Sequence, residues 1–204
     1  MHASLNIILV GFMGTGKTTI GRALADQLKR DFVDMDAELE TRAGKPIPRM
    51  FAEDGEEVFR RMELDLVVEL SRRPVRHLVR RSLGKDGSLG DGGSNLVIAA
   101  GGGIVLNPDN IRDFSATGHV ICLMAAPDEI LRRVSDSNHR PLLEQGDKGQ
   151  RIRNLLQRRQ PLYDAIDCQV DTTGKSPDEI IANVLAQFQD SRFQIPTKSK
   201  NSRK

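Results

Sequence analysis

The stretch Gly11-Phe-Met-Gly-Thr-Gly16-Lys17-Thr18 constrains this chain more than any other part of it. It satisfies the pattern G-x-x-x-x-G-K-S/T. It follows directly on the apolar run LNIILV at residues 5–10 and opens TTIGRALADQLKR, where Ile20, Leu24 and Leu28 recur at helical spacing. Strand, glycine loop and helix in that order make the first half of a β-α-β unit. The glycines allow successive backbone N–H groups to converge on phosphate oxygens. Lys17 can reach the β- and γ-phosphates, and Thr18 can offer its hydroxyl to Mg²⁺. Gly14, Thr15, Gly16, Lys17, Thr18 and Thr19 therefore form the predicted nucleotide-binding loop.

The rest of the 204 residues fits around that unit. Phe32 and Val33 form a brief second strand ending at Asp34. DAELETRAG reads as a helix stopping at Gly44, and Ile47, Met50 and Phe51 mark another short one. A longer helix starts after Gly55 with Phe59, Met62, Leu66 and Leu70 as its apolar positions. Strand LVIAA at 96–100 runs into Gly101-Gly102-Gly103. There follow a helix from Asn107 or Pro108, strand HVICLMA, and a helix from Pro127 to Val134. Residues 148–160 are predicted helical with Pro161 near the end, residues 167–171 form a last strand, and a final helix runs from Pro177 to about Phe188. Five strands alternating with helices predict an α/β fold, a mostly parallel sheet covered on both faces. Residues 1–190 are read as one domain and 191–204 as a disordered basic tail. The short helices of 35–62 are expected to cap the carboxyl ends of the strands, and polar residues 135–147 to form a mobile loop.

Composition narrows the class further. Cys122 and Cys168 allow one disulfide at most, which suits a reducing, cytoplasmic setting. Neither a signal peptide nor a spanning helix is legible. The net charge of +2 comes from two short segments: residues 71–90 carry six Lys/Arg against Asp86, and 189–204 carry five against Asp190. Without them the chain is net acidic, unlike the broad basic face of a duplex-binding domain. A nucleic-acid partner is not expected, and the chain is read as a monomer acting on a small molecule.

A second Mg²⁺-organising carboxylate is expected at a strand end. LVIAA ends in glycines and HVICLMA in alanines, so Asp34 is the candidate, with Asp171 its competitor and a helix N-cap its plain alternative. Asp36 reads equally as a first-turn acid favoured by the helix dipole. Arg60 can pair with Glu56 or Glu63 on its own helix, and Arg140 can be a surface residue of the polar loop. The glycine triplet either turns sharply or lets a ligand approach the backbone. These features describe a small P-loop kinase with an unnamed acceptor.

The motifs resemble those of the shikimate kinase family. FMGTGKTTIGRALA resembles its phosphate loop and first helix, and DMDAELETRAG its D-x-D segment. GEEVFRRME, AAGGG, RRVSDSNHRPLL and RRQPLY follow in the family's order, from about residue 5 to 188. The resemblance implies a three-layer P-loop kinase with a five-stranded parallel sheet, an acceptor-binding region at 34–62 and a mobile lid at about 135–147. It also implies ATP- and Mg²⁺-dependent phosphorylation of the 3-hydroxyl of shikimate, on the route to chorismate and aromatic amino acids. Carried over by motif, Asp36, Arg60, Arg159 and the backbone of Gly101, Gly102 and Gly103 would bind shikimate. Asp34 would act with Thr18 near Mg²⁺. Lys17 and Arg140 would meet the transferring phosphoryl group, while Arg133 and Pro177 would flank adenine. The departure is a basic, glycine-rich insertion at about 72–95. It reads as a passive surface loop or, through its basic half at 72–85, as a contact for an unknown partner. A kinase of another small polyol or hydroxy acid, such as gluconate, is the rival reading. A non-catalytic ligand sensor is a more distant one.

Overall fold

Every residue of the first strand, Asn6–Val10 (β1), is buried, and the strand lies at the centre of a parallel five-stranded sheet. This is a computed structural model, described over residues 5–71, 96–135 and 148–187. The strands run in the order β2-β3-β1-β4-β5, with β2 at Asp31–Asp34, β3 at Leu96–Ala99, β4 at Gly118–Met124 and β5 at Gln169–Asp171. Central pairings place Ile8 opposite Ile98 on one side and Val120 on the other. Because β1 is flanked by β3 and β4, the strand order reverses beside it. That is where open parallel sheets hold ligands, at the carboxyl ends of the strands.

Alternation along β1 builds the two cores. Ile8 and Val10 pack on one face with residues of α2 (Met35–Ala43), α4 (Glu56–Ser71), α5 (Pro108–Ser115) and α7 (Lys148–Asp164). Ile7 and Leu9 pack on the other with α1 (Lys17–Leu28) and α8 (Pro177–Gln187). The expected three layers are therefore present. Two shorter helices, α3 (Ile47–Glu53) and α6 (Pro127–Ser135), complete the described set. The two cysteines fall on opposite faces, Cys122 in the first core and Cys168 in the second. Both are free and buried, and burial pushes their thiols up, to about 12 and about 11. They are inert core residues rather than a redox pair.

At the opposite end of the sheet, the fully buried Asn6 side chain joins two distant chain positions. Its Nδ2 donates to the Leu70 carbonyl at 3.4 Å and its Oδ1 accepts from the Leu96 N–H at 3.1 Å. The end of α4 and the start of β3 are thus held together across the segment between them.

Several element boundaries differ from those expected. The helix predicted for 148–160 continues through Pro161 to Asp164. A proline removes one N–H but does not stop a helix whose next turn is packed: the Ala165 N–H still reaches the Pro161 carbonyl, and Tyr163 and Ile166 are anchored in the core. The last strand is Gln169–Asp171, shorter than 167–171, and the final helix is described from Pro177 to Gln187, Phe188 lying outside the described residues. A short 3-10 turn, Ile104–Leu106, follows the glycine triplet and was not anticipated. The insertion at 72–95, the loop at 136–147, the tail and Arg140 lie outside the described residues. Among the described residues no helix is long and apolar enough to cross a membrane.

Candidate active site

Three loops meet at the carboxyl ends of β1, β2 and β3. In the loop after β1, the backbone enters α1 through Gly16 at φ 94°, a conformation L side chains rarely adopt. Gly16 offers no side-chain cap, which leaves the first N–H groups of α1 directed at the loop's centre. The Lys17 ammonium folds back over this loop, donating to the carbonyls of Gly11 at 2.9 Å and Phe12 at 3.0 Å. Thr15 is buried, its hydroxyl tied to the Phe12 carbonyl at 2.8 Å, so its side chain braces the loop. Thr18 and Thr19 are exposed.

Asp34 is the helix cap the sequence allowed, and its other oxygen reaches the phosphate loop. Its Oδ1 accepts the N–H groups of Asp36 and Ala37 at 3.1 and 3.3 Å, capping α2, while its Oδ2 accepts the Thr18 hydroxyl at 2.8 Å. The helix cap orients the carboxylate and leaves the second oxygen facing the phosphate loop. Its competitor Asp171 is turned away on the outer strand, taken up by Thr173, whose N–H and hydroxyl hold its carboxyl below its usual range. The hydroxyl–carboxylate pair of Thr18 and Asp34 is the hard-oxygen donor set that suits Mg²⁺ completed by water and phosphate oxygens. Among the described residues no group of three or more His, Cys, Asp or Glu forms an all-protein metal cage.

The glycine triplet after β3 is the floor of the second half of the site. A Cβ on Gly101 would stand 2.7 Å from Asp36 Oδ1 and 3.2 Å from Glu63 Oε1; one on Gly103 would stand 2.6 Å from Arg60 Nη1. Side chains larger than glycine's would press on these charged groups, which close directly on the backbone. The Gly102 carbonyl accepts from Arg159 Nη1 at 3.2 Å and from the Tyr163 hydroxyl at 2.8 Å. Asp36, Arg60 and Arg159, from three different helices, are therefore brought to one glycine turn. Arg60 also makes the pairs expected on its own helix, with Glu63 at 2.8 Å and Glu56 at 3.1 Å, and its guanidinium lies 5.1 Å from the Phe59 ring centre. Burial works against the Arg60 charge, but the two carboxylates outweigh it and its pKa stands above the ordinary value.

Glu63 is the site residue the sequence reading missed as such. It is 2% exposed, and burial pushes its carboxyl up against the downward pull of Arg60, with Asp36 pushing up and Arg159 pulling down further out. The signal was available: Glu63 falls on the buried stripe Phe59, Glu63, Leu66, Leu70, an acid where the helix otherwise shows apolar residues. Removing Arg60 alone would leave that carboxylate buried and unpaired, a loss on the order of 3 kcal/mol or more.

On the far side of the phosphate loop, Arg133 is held by Glu129 at 2.7 Å. It donates to the Gly14 carbonyl at 3.3 Å and to Thr172 through both its hydroxyl, 3.0 Å, and its carbonyl, 2.7 Å. It joins the loop to the turn that leads into Pro177, which is exposed at the head of α8.

A family model described as shikimate kinase matches residues 13–81 and 89–189. A shikimate kinase of Pelotomaculum thermopropionicum is 43% identical over 188 residues, covering 92% of this chain and 98% of that protein. One from Nitrosococcus oceani is 39% identical over 194 residues, covering 95% and 92%. The solved structure of shikimate kinase from Acinetobacter baumannii in complex with shikimate superposes with a TM-score of 0.76 at 32% identity, covering 91% of this chain and 93% of that one. A chain that shares its fold, its sequence and nearly its whole length with these proteins belongs to the shikimate kinase family.

Proposed function

We propose that the protein transfers the γ-phosphoryl group of ATP to the 3-hydroxyl of shikimate, giving shikimate 3-phosphate and ADP. The observation that carries this reading is the meeting of Asp36, Arg60 and Arg159 on the Gly101–Gly103 turn, one strand away from the Lys17 loop. Two guanidinium groups beside a carboxylate suit a ligand that is both an acid and a polyol. The arginine forks match a planar carboxylate, and the aspartate accepts from hydroxyls. A gluconate-type acceptor is also an acid and a polyol, but it is acyclic, and membership of the family favours the ring.

In this reading Arg60 and Arg159 take the shikimate carboxylate, Asp36 takes ring hydroxyls, and the triplet backbone seats the ring. Lys17 exchanges the carbonyls of Gly11 and Phe12 for phosphate oxygens when nucleotide enters, and Arg140, outside the described residues, is assigned by its motif to the transferring group. Arg133 and Pro177 flank the adenine. Thr18 and Asp34 would hold Mg²⁺, which would supply charge neutralisation to the phosphates. Asp34, fixed by its cap on α2, orients the acceptor hydroxyl and can take its proton. Charge stabilisation by Lys17 and Arg140 makes up the largest part of the rate gain, because in-line phosphoryl transfer leaves the protein little covalent work. A coupled assay of ADP release against shikimate, quinate and gluconate tests the reading. Stimulation by shikimate far above the other acids is the expected result; stimulation by gluconate alone would refute it.

A further inference from the structure

One buried polar group on the acceptor side has no part in the reading above. Tyr163 is fully buried, and its hydroxyl ends on the Gly102 carbonyl at 2.8 Å. It lies one helical turn beyond Arg159 on α7, so both side chains leave the same face of that helix and converge on one carbonyl oxygen. On its other side the Tyr163 ring meets Phe12 of the phosphate loop edge-on, with centres 6.4 Å apart and planes at 87°. Gly102 in turn lies against that loop, where a Cβ would stand 3.5 Å from the Met13 nitrogen.

We propose that Tyr163 is a positioning residue for the acceptor: its hydroxyl fixes the Gly102 peptide against the phosphate loop and, through the carbonyl they share, the Arg159 guanidinium, so that the carboxylate-binding arginine is in place before the acceptor arrives. This rests on the acceptor reading given above. A backbone carbonyl offers two acceptor directions, and here Tyr163 and Arg159 each use one. Without the hydroxyl the peptide between Gly102 and Gly103 can swing, and the carbonyl that Arg159 donates to is no longer held from the core. Burial pushes the phenol up to about 12, so it remains a donor throughout the working pH range. The ring's contact with Phe12 explains why a tyrosine rather than a short hydroxyl residue stands here. It ties the acceptor floor to the loop that holds the nucleotide.

Tyr163→Phe removes the hydroxyl and keeps the ring against Phe12. The measurement is the KM for shikimate and for ATP, with kcat and Tm, in the full chain. Expected is a rise of about five- to tenfold in the shikimate KM, with the ATP KM within about twofold, as for one lost hydrogen bond to a site group. In an Arg159→Lys background the same substitution should change the shikimate KM less than about twofold, because the group it acts through is gone. Ile152→Val, a core truncation about two turns before Arg159 on the same helix, is expected to lower Tm without moving the shikimate KM. An unchanged shikimate KM in Tyr163→Phe overturns the proposal. So does an equal rise in both KM values, a full additive effect in the Arg159→Lys background, or a Tyr163→Phe chain that does not fold. An unmodified protein that fails to phosphorylate shikimate at all would instead remove the acceptor reading, which separates the two failures.

Discussion

The Thr18 hydroxyl donates to Asp34 Oδ2 at 2.8 Å while the other oxygen of the same carboxylate caps α2. One side chain thus joins the phosphate loop to the helix that carries Asp36. The two oxygens can be tested apart, because asparagine caps a helix about as well as aspartate.

Asp34→Asn should leave Tm nearly unchanged and lower kcat at least about a hundredfold, in the range of losing one charged group from the reacting centre. Asp34→Ala should lose about 1 kcal/mol of stability in addition, from the missing cap. Thermal unfolding and steady-state kinetics on both variants check this. A normal kcat in Asp34→Asn would reduce Asp34 to a cap.

Gly103→Ala should act on the acceptor alone. The new methyl would press on the Arg60 guanidinium, the far end of a flexible side chain, so the fold should survive while the arginine is displaced. The shikimate KM should rise by about tenfold or more with the ATP KM unchanged. This is a cleaner test than Arg60→Ala, which also leaves Glu63 buried without its partner. Equal effects on both substrates would show that the turn is not specific to the acceptor side.

How much of this was legible in the sequence follows from what each signal depends on. The phosphate loop and the five strands were readable because their residues are consecutive. The cap role and the metal-side role of Asp34 could not be ranked, because both put an acid at a strand end; in three dimensions one oxygen caps α2 and the other meets Thr18. Glu63 and Tyr163 were hidden differently. Glu63 shows only as an acid on an otherwise apolar stripe, and Tyr163 reads as core until its long-range contact with Gly102 reveals the polar end of the side chain. Pro161 pointed to an early helix end, and packing of Tyr163 and Ile166 overrode it.

Glu129 gives a prediction about pH. Hydrogen bonds from Arg132, and then the nearby charges of Arg133 and Arg132, lower its carboxyl to about 2 from an ordinary 4.5. A depressed carboxylate contributes stability that is complete above its unfolded value and is lost as pH falls through its folded one. The contribution should therefore be present at pH 6 and fade between about 4.5 and about 2. Tm of Glu129→Gln should lie below that of the unmodified protein at pH 6, with the gap closing toward pH 3. A gap that does not change with pH would contradict the assignment.

Asn6 predicts that the segment it spans is dispensable. Because its side chain holds Leu70 and Leu96 together, replacing about residues 74–92 by a short glycine-serine link should leave kcat and both KM values within about twofold, and loop shortening should cost little. Asn6→Ala should destabilise by roughly 1–3 kcal/mol, since it leaves a buried N–H and a carbonyl without their partner. Kinetics and light scattering on the deletion variant are the check. A tenfold loss of turnover or a change in oligomeric state would mean that the segment, with its basic run at 72–85, serves the enzyme or a partner.

The central claim is phosphoryl transfer to one hydroxyl of shikimate by the Lys17 loop. The direct measurement is ³¹P NMR of the product formed from ATP, Mg²⁺ and shikimate, with ADP quantified in the same sample and Lys17→Ala run in parallel. The account predicts shikimate 3-phosphate equimolar with ADP, and no phosphate ester from a Lys17→Ala protein that is still folded by circular dichroism. ADP accompanied only by inorganic phosphate, or an ester at another hydroxyl, would contradict it.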